Sequence, residues 1–277
     1  MIQPMRESDI PEGLRLCRES GWNQLEEDWL AFLRLPGGGA FVAGDGDRVD
    51  GTVACLRYGA LGWIAMMLVD RERRGRGIGA LLMERAMAAL AGCECVGLDA
   101  TPLGEPLYRR FGFTPALRLA RYAAASPARP DPCGAGARPL GPEDLPEVLE
   151  RDRRVFGGDR GPLLASLRER SPAAAWVARD AAGVRGYCFG RPGRLYRQIG
   201  PLVAEDRDTA AELASCCLAV GEGRVVIDAP VDDRKWIAWL EAAGFAEERP
   251  FARMFRGGRV NPARISEQYA IAGPEFG

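Results

Sequence analysis

The sequence predicts an α+β protein built from two tandem copies of one unit, each a mixed, mostly antiparallel sheet flanked by helices. Three observations carry this prediction. The chain repeats itself at a nearly constant spacing, each copy runs through strand and helix patterns in the same order, and a stretch dense in Pro, Gly and Ala separates the copies. The 277 residues suffice for two domains of ordinary size. Hydrophobic residues at 47% against 27% charged give a globular composition with ample apolar surface to bury.

Pro4, Asp9, Pro11, Glu12 and Leu14 recur as Pro139, Asp144, Pro146, Glu147 and Leu149, an offset of 135. The same offset carries Phe41-Val42-Ala43 onto Trp176-Val177-Ala178 and Gly51 onto Gly186. It then drifts: Leu68-Val69 match Leu202-Val203 at 134, Leu98-Asp99-Ala100 match Ile227-Asp228-Ala229 at 129, and Gly112-Phe113 match Gly244-Phe245 at 132. Kept order with slow drift reads as duplication followed by small deletions. So long a period means two domains and not a solenoid. The expected division is a first unit over 1–126, a semi-rigid linker over 127–137, a second unit over 138–258, and a tail over 259–277 that packs back.

Within the first copy, a strand near residues 3–5 leads to a helix that Asp9 can cap and that has Pro11 in its first turn. A second helix over 24–34 puts Leu25, Trp29, Phe32 and Leu33 on one face. Strands follow over 40–43, 51–57 and the very apolar 63–69. A helix over 77–91 carries Ile78, Leu81, Leu82, Ala86, Ala89 and Leu90 at helical spacing. A strand over 95–99, a short helix over 105–110 and a last strand after Phe113 complete the unit.

Composition narrows the chemistry. A net charge of −1 gives no reason to expect nucleic acid or an anionic membrane as partner. The longest apolar stretch, over 61–69, is too short to span a bilayer, and the first residues hold no apolar leader, so a cytoplasmic protein is expected. Eight cysteines without CxxC or zinc-knuckle spacing read as free thiols. There is no histidine, which removes histidine-based nucleophilic triads and the commonest zinc and iron ligand sets, and no metal is expected.

The most informative segment runs Val69-Asp70-Arg71-Glu72-Arg73-Arg74-Gly75-Arg76-Gly77-Ile78-Gly79-Ala80. A buried strand ends, a glycine-rich turn follows and a helix begins. Glycines let the backbone turn its N–H groups toward a ligand, and those groups with the helix N-terminus form an anion site. Four arginines at the positive end of a helix dipole repel it, and a bound phosphate would relieve that repulsion. No lysine stands near enough for a Walker A loop. A dinucleotide fingerprint is a closer rival, since Gly75-x-Gly77-x-x-Ala80 fits its spacing and Asp99 lies about 20 residues on. Against it, the charged run Asp70 to Arg74 separates strand from glycine, and the strand follows two hairpin strands rather than opening a βαβ unit.

Arg74-x-x-Gly77-x-Gly79 resembles the pyrophosphate loop of the GNAT acetyltransferases, in which an arginine or glutamine is followed at this spacing by a glycine and then a glycine or alanine. Tyr108-Arg109-Arg110-Phe111-Gly112-Phe113 resembles a second motif of that family, a tyrosine followed after three residues by Gly-Phe, at the usual distance downstream. The resemblance covers 1–125 well and 138–258 weakly, a layout similar to bacterial tandem GNAT proteins with a degenerate second domain. The counterpart of the loop in the second copy, Ala204-Glu205-Asp206-Arg207-Asp208-Thr209-Ala210, has no glycine, and Leu240 stands where Tyr108 does in the first.

The resemblance implies an N-acetyltransferase that moves an acetyl group from acetyl-CoA to a primary amine by direct attack in a ternary complex. Gly75, Arg76, Gly77, Ile78, Gly79 and Ala80, with Arg74, would hold the pyrophosphate. The strand edge at Met67, Leu68 and Val69 would pair with pantetheine and polarise the thioester. Tyr108 would protonate the leaving thiolate, as a neutral phenol can, and it also suits packing on the sheet. The family often draws a base from the strand before the loop, and 63–69 has no carboxylate. Asp99 is the candidate base or water-holder, with a strand-end cap as its other reading. Trp29 and Glu26 are candidate acceptor contacts, although a solvated helix face explains them too. A CoA-binding regulator without turnover and a nicotinamide-dinucleotide-binding protein are the alternative readings. A homodimer is compatible with the sequence.

Overall fold

The computed structural model describes residues 1–45, 48–128, 136–258 and 265–277. The first half runs β1 (Ile2–Pro4), α1 (Ile10–Glu19), α2 (Glu26–Arg34), β2 (Gly39–Asp45), β3 (Arg48–Tyr58), β4 (Leu61–Val69), α3 (Ile78–Ala89), β5 (Cys95–Ala100), α4 (Glu105–Arg110) and β6 (Thr114–Ala124). The second half repeats this as β7 (Ala137–Pro139), α5 (Leu145–Phe156), α6 (Gly161–Arg170), β8 (Ala175–Asp180), β9 (Gly183–Arg191), β10 (Arg197–Ala204), α7 (Arg207–Ala219), β11 (Val225–Pro230), α8 (Arg234–Ala242) and β12 (Ala246–Gly257). A short strand β13 (Gln268–Ala270) follows. Each first-half element has its counterpart in order. The expected linker lies largely outside the described residues.

Asp9 does not cap α1 with its side chain. It bends back to accept from the Arg6 N–H at 2.7 Å and closes a 3₁₀ turn ahead of the helix, and Asp144 does the same with the Gly141 N–H at 2.9 Å. Helix α2 begins at Glu26 and not at 24, because the Asp28 carboxylate accepts from the Leu25 N–H at 2.9 Å and defines the first turn there. Asn23 and Gln24 are thereby left outside the helix, and both become part of the site.

The strands form one sheet in the order β1-β2-β3-β4-β5-β12-β6-β11-β10-β9-β8-β7, with β13 on β10. Among the described residues only β4–β5 and β10–β11 are parallel. The repeat conceals one feature: the two last strands are exchanged. Strand β12 of the second half lies between β5 and β6, with Arg253 opposite Asp99, while β6 of the first half pairs with β11, with Arg121 opposite Asp228. Neither 1–126 nor 138–258 closes its own sheet.

The core is shared as well. Trp29, Phe32 and Trp63 of the first half belong to one apolar cluster with Phe156, Tyr187 and Phe276 from beyond the linker. Phe276 is fully buried and stacks on Phe32 at 5.3 Å. The described part of the tail, 265–277, packs into the centre.

Candidate active site

Strand β4 is tied to β5 only from Leu61 to Trp63. Beyond that the two diverge, and among the described residues the edge of β4 from Ile64 onward has no strand partner on that side. A bulge in β4 helps drive the divergence: Thr52 pairs with Leu68 but Ala54 with Ala65, Met66 takes a positive φ of 53°, and the Thr52 hydroxyl donates to the Met66 carbonyl at 2.8 Å. The left-handed backbone at Met66 is a strained position of the kind that gathers at functional sites.

Beyond the end of β4, Asp70 anchors the descending loop. Its carboxylate accepts from the Glu72 N–H at 3.0 Å and from Arg48 at 2.8 Å. The glycine turn follows, with φ of 76° at Gly75 and 81° at Gly77. Both positions require a residue without a Cβ penalty, and nothing lies within 4 Å of where a Cβ would stand at either, so the turn opens on free space. No side chain caps α3 and its first turn holds no acidic residue. The N-terminus of α3 is therefore left without a side-chain cap or an acidic neighbour in its first turn. Arg74 folds back onto the Val69 carbonyl at 3.2 Å, while Arg73 reaches Asp50 at 3.3 Å.

Loop and splayed edge line one cavity of about 720 Å³. Met67, Leu68, Val69, Arg74, Gly75, Gly77, Ile78 and Gly79 all contribute to it, as do Asp99 and Tyr108. Arg76 and Ala80 do not; Arg76 points to solvent and the Ala80 N–H is spent on the Gly77 carbonyl at 3.0 Å. Tyr108, on α4, is 8% exposed and packs edge-on against Phe113 at 6.4 Å. Burial raises its phenol above the usual tyrosine range, so it carries its proton at neutral pH. Asp99 is pushed up by burial in spite of Arg253, whose guanidinium holds both carboxylate oxygens at 2.8 Å. Among the described residues no cluster of acidic or sulfur ligands could hold a metal ion, and no helix is long and apolar enough to cross a membrane.

Comparison with known proteins bears on this geometry. Two segments, 36–115 and 148–270, each match an acetyltransferase (GNAT) domain family. The uncharacterized N-acetyltransferase YitH of Bacillus subtilis (strain 168) is 27% identical over 249 residues, covering 88% of this chain and 87% of that protein. The chain belongs to the GNAT acetyltransferases. It is an acyltransferase with two GNAT domains in tandem. A putative acetyltransferase from Pyrococcus horikoshii shares its fold with a TM-score of 0.84 at 22% identity, over 100% of this chain and 95% of that one. A tandem GNAT protein from the clavulanic acid biosynthesis pathway does so at 0.63 and 17%, over 92% and 98%.

The second GNAT domain has its own splay, between β10 and β11, and the chain fills it. Strand β13 pairs with β10 at Leu202 and Val203, and the Ile271 N–H donates to the Asp228 carbonyl of β11 at 2.9 Å. The corresponding helix end is closed too, since the Asp206 carboxylate caps α7 by accepting from the Thr209 N–H at 2.8 Å. Leu240, in the place of Tyr108, is fully buried.

The expected acceptor contacts need correction. Trp29 is fully buried in the shared core and Glu26 is exposed, and neither lines the cavity. The residues just before α2 do: Trp22, Asn23 and Gln24. Asn23 also clamps the second half, with its Oδ1 accepting from the Leu195 N–H at 2.7 Å and its Nδ2 donating to the Tyr196 carbonyl at 3.0 Å. Sequence reasoning missed the rest of this wall, Arg121, Arg249 and Phe251 from the exchanged strands with Pro274 and Glu275 from the tail. Their sequence signal is slight, because their contribution depends on pairings across the linker.

Proposed function

We propose that this GNAT enzyme transfers an acetyl group from acetyl-CoA to a primary amine by direct attack in a ternary complex. The observation that carries the proposal is the meeting, in one cavity, of the unpaired β4 edge, the uncapped Gly75–Gly79 turn and Tyr108. The turn and the α3 N-terminus suit a pyrophosphate, with Arg74 at hand. The edge at Met67, Leu68 and Val69 suits the amides of pantetheine, and a β4 N–H suits the oxygen of the thioester as charge develops on it. Acetyl-CoA bound there supplies the activated acyl group.

The amine nitrogen forms its bond to the acyl carbon as the carbon–sulfur bond breaks, and the sulfur leaves with the electron pair. Tyr108, kept protonated by burial, donates to that sulfur and recovers a proton from solvent. The amine proton leaves to water in the cavity. Asp99 is better suited to positioning than to taking that proton itself, because Arg253 engages both its oxygens. It orients Arg253, which lies 4.8 Å from the centre of the Trp63 ring beneath the splay.

The test is acetyl-CoA affinity by calorimetry for the wild type and Gly77→Asp, followed by thiol release on a panel of amines. Aspartate at this left-handed position adds strain and a negative charge at the pyrophosphate, so affinity should fall by on the order of 100-fold or more. A wild type that binds neither acetyl-CoA nor CoA sinks the proposal.

A further inference from the structure

Asp99, Arg121, Arg249 and Glu275 of the cavity lining join a network of charges that almost cancel. Asp99 pairs with Arg253 at 2.8 Å, and Asp228 with Arg121 at 2.7 Å. Arg191 serves both Asp28, at 3.1 Å, and Glu275, while Arg170 reaches Asp28 at 3.0 Å. These four carboxylates thus meet four guanidiniums. Arg249 is a fifth. It lines the same cavity, its guanidinium lies 5.0 Å from the centre of the Phe251 ring, and no carboxylate among the described residues lies within ion-pair distance of it. Its Nε is buried and has no hydrogen-bond partner. Burial, and then the neighbouring Arg121, push it below the usual arginine range, as expected for a cation short of an anion. A second polar atom is buried without a partner in this lining, the Oε1 of Gln24, which calls for a donor. Glu275 gives one oxygen to Arg191, and its Oε2 accepts no hydrogen bond among the described residues.

Resting on the acetyl-transfer reading above, we propose that the acceptor is an amine that also carries a carboxylate, a free amino acid in the broad sense, with Arg249 as the anchor of that carboxylate. Such a molecule answers both deficits at once. Its anion supplies the charge that Arg249 lacks and accepts from Nε, and its nitrogen donates to Gln24 Oε1 and Glu275. Arg249 is on β12 four residues before Arg253, about 13 Å along the strand from the register position of Asp99. Its guanidinium lies over the Phe251 ring, and both residues line the cavity. The anion is thereby held at the far end of the cavity and the amine is directed to the β4 edge. An anchor that holds one end by charge equally in the ground and transition states lowers KM and leaves kcat unchanged.

The experiment compares α- and ω-amino acids with their carboxamides, each with acetyl-CoA, by thiol release for wild type, Arg249→Gln and Arg249→Lys. The wild type should favour the acids over the amides in kcat/KM by on the order of 10- to 100-fold. Arg249→Gln should raise KM for the acids by a similar factor with kcat and acetyl-CoA affinity nearly unchanged, and Arg249→Lys should recover part of the loss. Equal use of acid and amide, a preference that survives Arg249→Gln, or a loss of acetyl-CoA affinity in that variant would each overturn the anchor. If no amine is acetylated, the transfer reading fails instead. Calorimetry of the same pairs on the CoA-loaded protein then decides the anchor alone: binding of acids over amides, abolished in Arg249→Gln, supports it, and its absence refutes it.

Discussion

Tyr108 shows how one side chain packs on the sheet and lines the cavity together. Its ring is held against Phe113 while its edge lines the cavity, and the burial that fixes the ring also keeps the phenol protonated. Tyr108→Phe keeps the packing and removes the proton. Turnover should fall by on the order of 100-fold or more with acetyl-CoA affinity within a factor of about two, read by steady-state kinetics beside calorimetry. An unchanged kcat would leave Tyr108 a packing residue. Tyr108 was legible in the sequence because its motif is local, a tyrosine a fixed distance before Gly-Phe. Asp99 was legible as a cavity residue, but its pairing with Arg253 was not, because that partner lies 154 residues away. Trp29 misled for a physical reason: an aromatic on an amphipathic helix faces the core unless something holds it out, and this one packs edge-on to Phe32 at 6.4 Å.

Among the elements, the loop between β4 and α3 is set by one carboxylate. Asp70 is 3% exposed and accepts from Arg48, Arg15 and the Glu72 N–H, so it fixes where the arginine-rich turn begins. The bond from Arg48 is the chief reason its carboxyl is held below the ordinary value of 3.8. A lowered folded-state value means the stabilisation is complete above 3.8 and is lost as pH falls through the lowered value. Asp70→Asn should therefore melt below the wild type at pH 7 to 5, with the gap closing below about pH 4. It should also weaken acetyl-CoA binding, since the turn loses its anchor. Melting curves across that range check the first claim, and a gap independent of pH would refute it. The elements themselves were legible because helix and strand periods are local properties. The boundary of α2 was not, because a carboxylate–backbone bond set it and not the apolar face.

For the molecule as a whole, exchange of β6 and β12 makes the two halves interdependent. A sequence repeat reports which elements exist and in what order; it is silent on whether β12 closes its own sheet or its neighbour's, since both choices satisfy the same alternation. The exchange explains why the cavity wall carries second-half residues at all. It also explains why the tail can serve both halves: β13 fills the second splay, and the next residues run on to the first, where the Tyr58 hydroxyl donates to the Phe276 carbonyl at 3.1 Å and the Trp63 indole to the Pro274 carbonyl at 3.1 Å. Phe276 is therefore a keystone for both domains. Phe276→Ala should cost about 3–5 kcal/mol through the cavity it leaves. Because Pro274 and Glu275 precede it directly in the chain, the variant should also lose acceptor affinity while retaining acetyl-CoA binding. Two tandem domains joined only by a linker would unfold in two calorimetric steps. With the core and the sheet shared, a single transition is expected, with calorimetric and van't Hoff enthalpies in agreement, and it should move as one in Phe276→Ala. Two separable transitions, only one of them shifted by the substitution, would mean that the exchanged strands do not couple the halves.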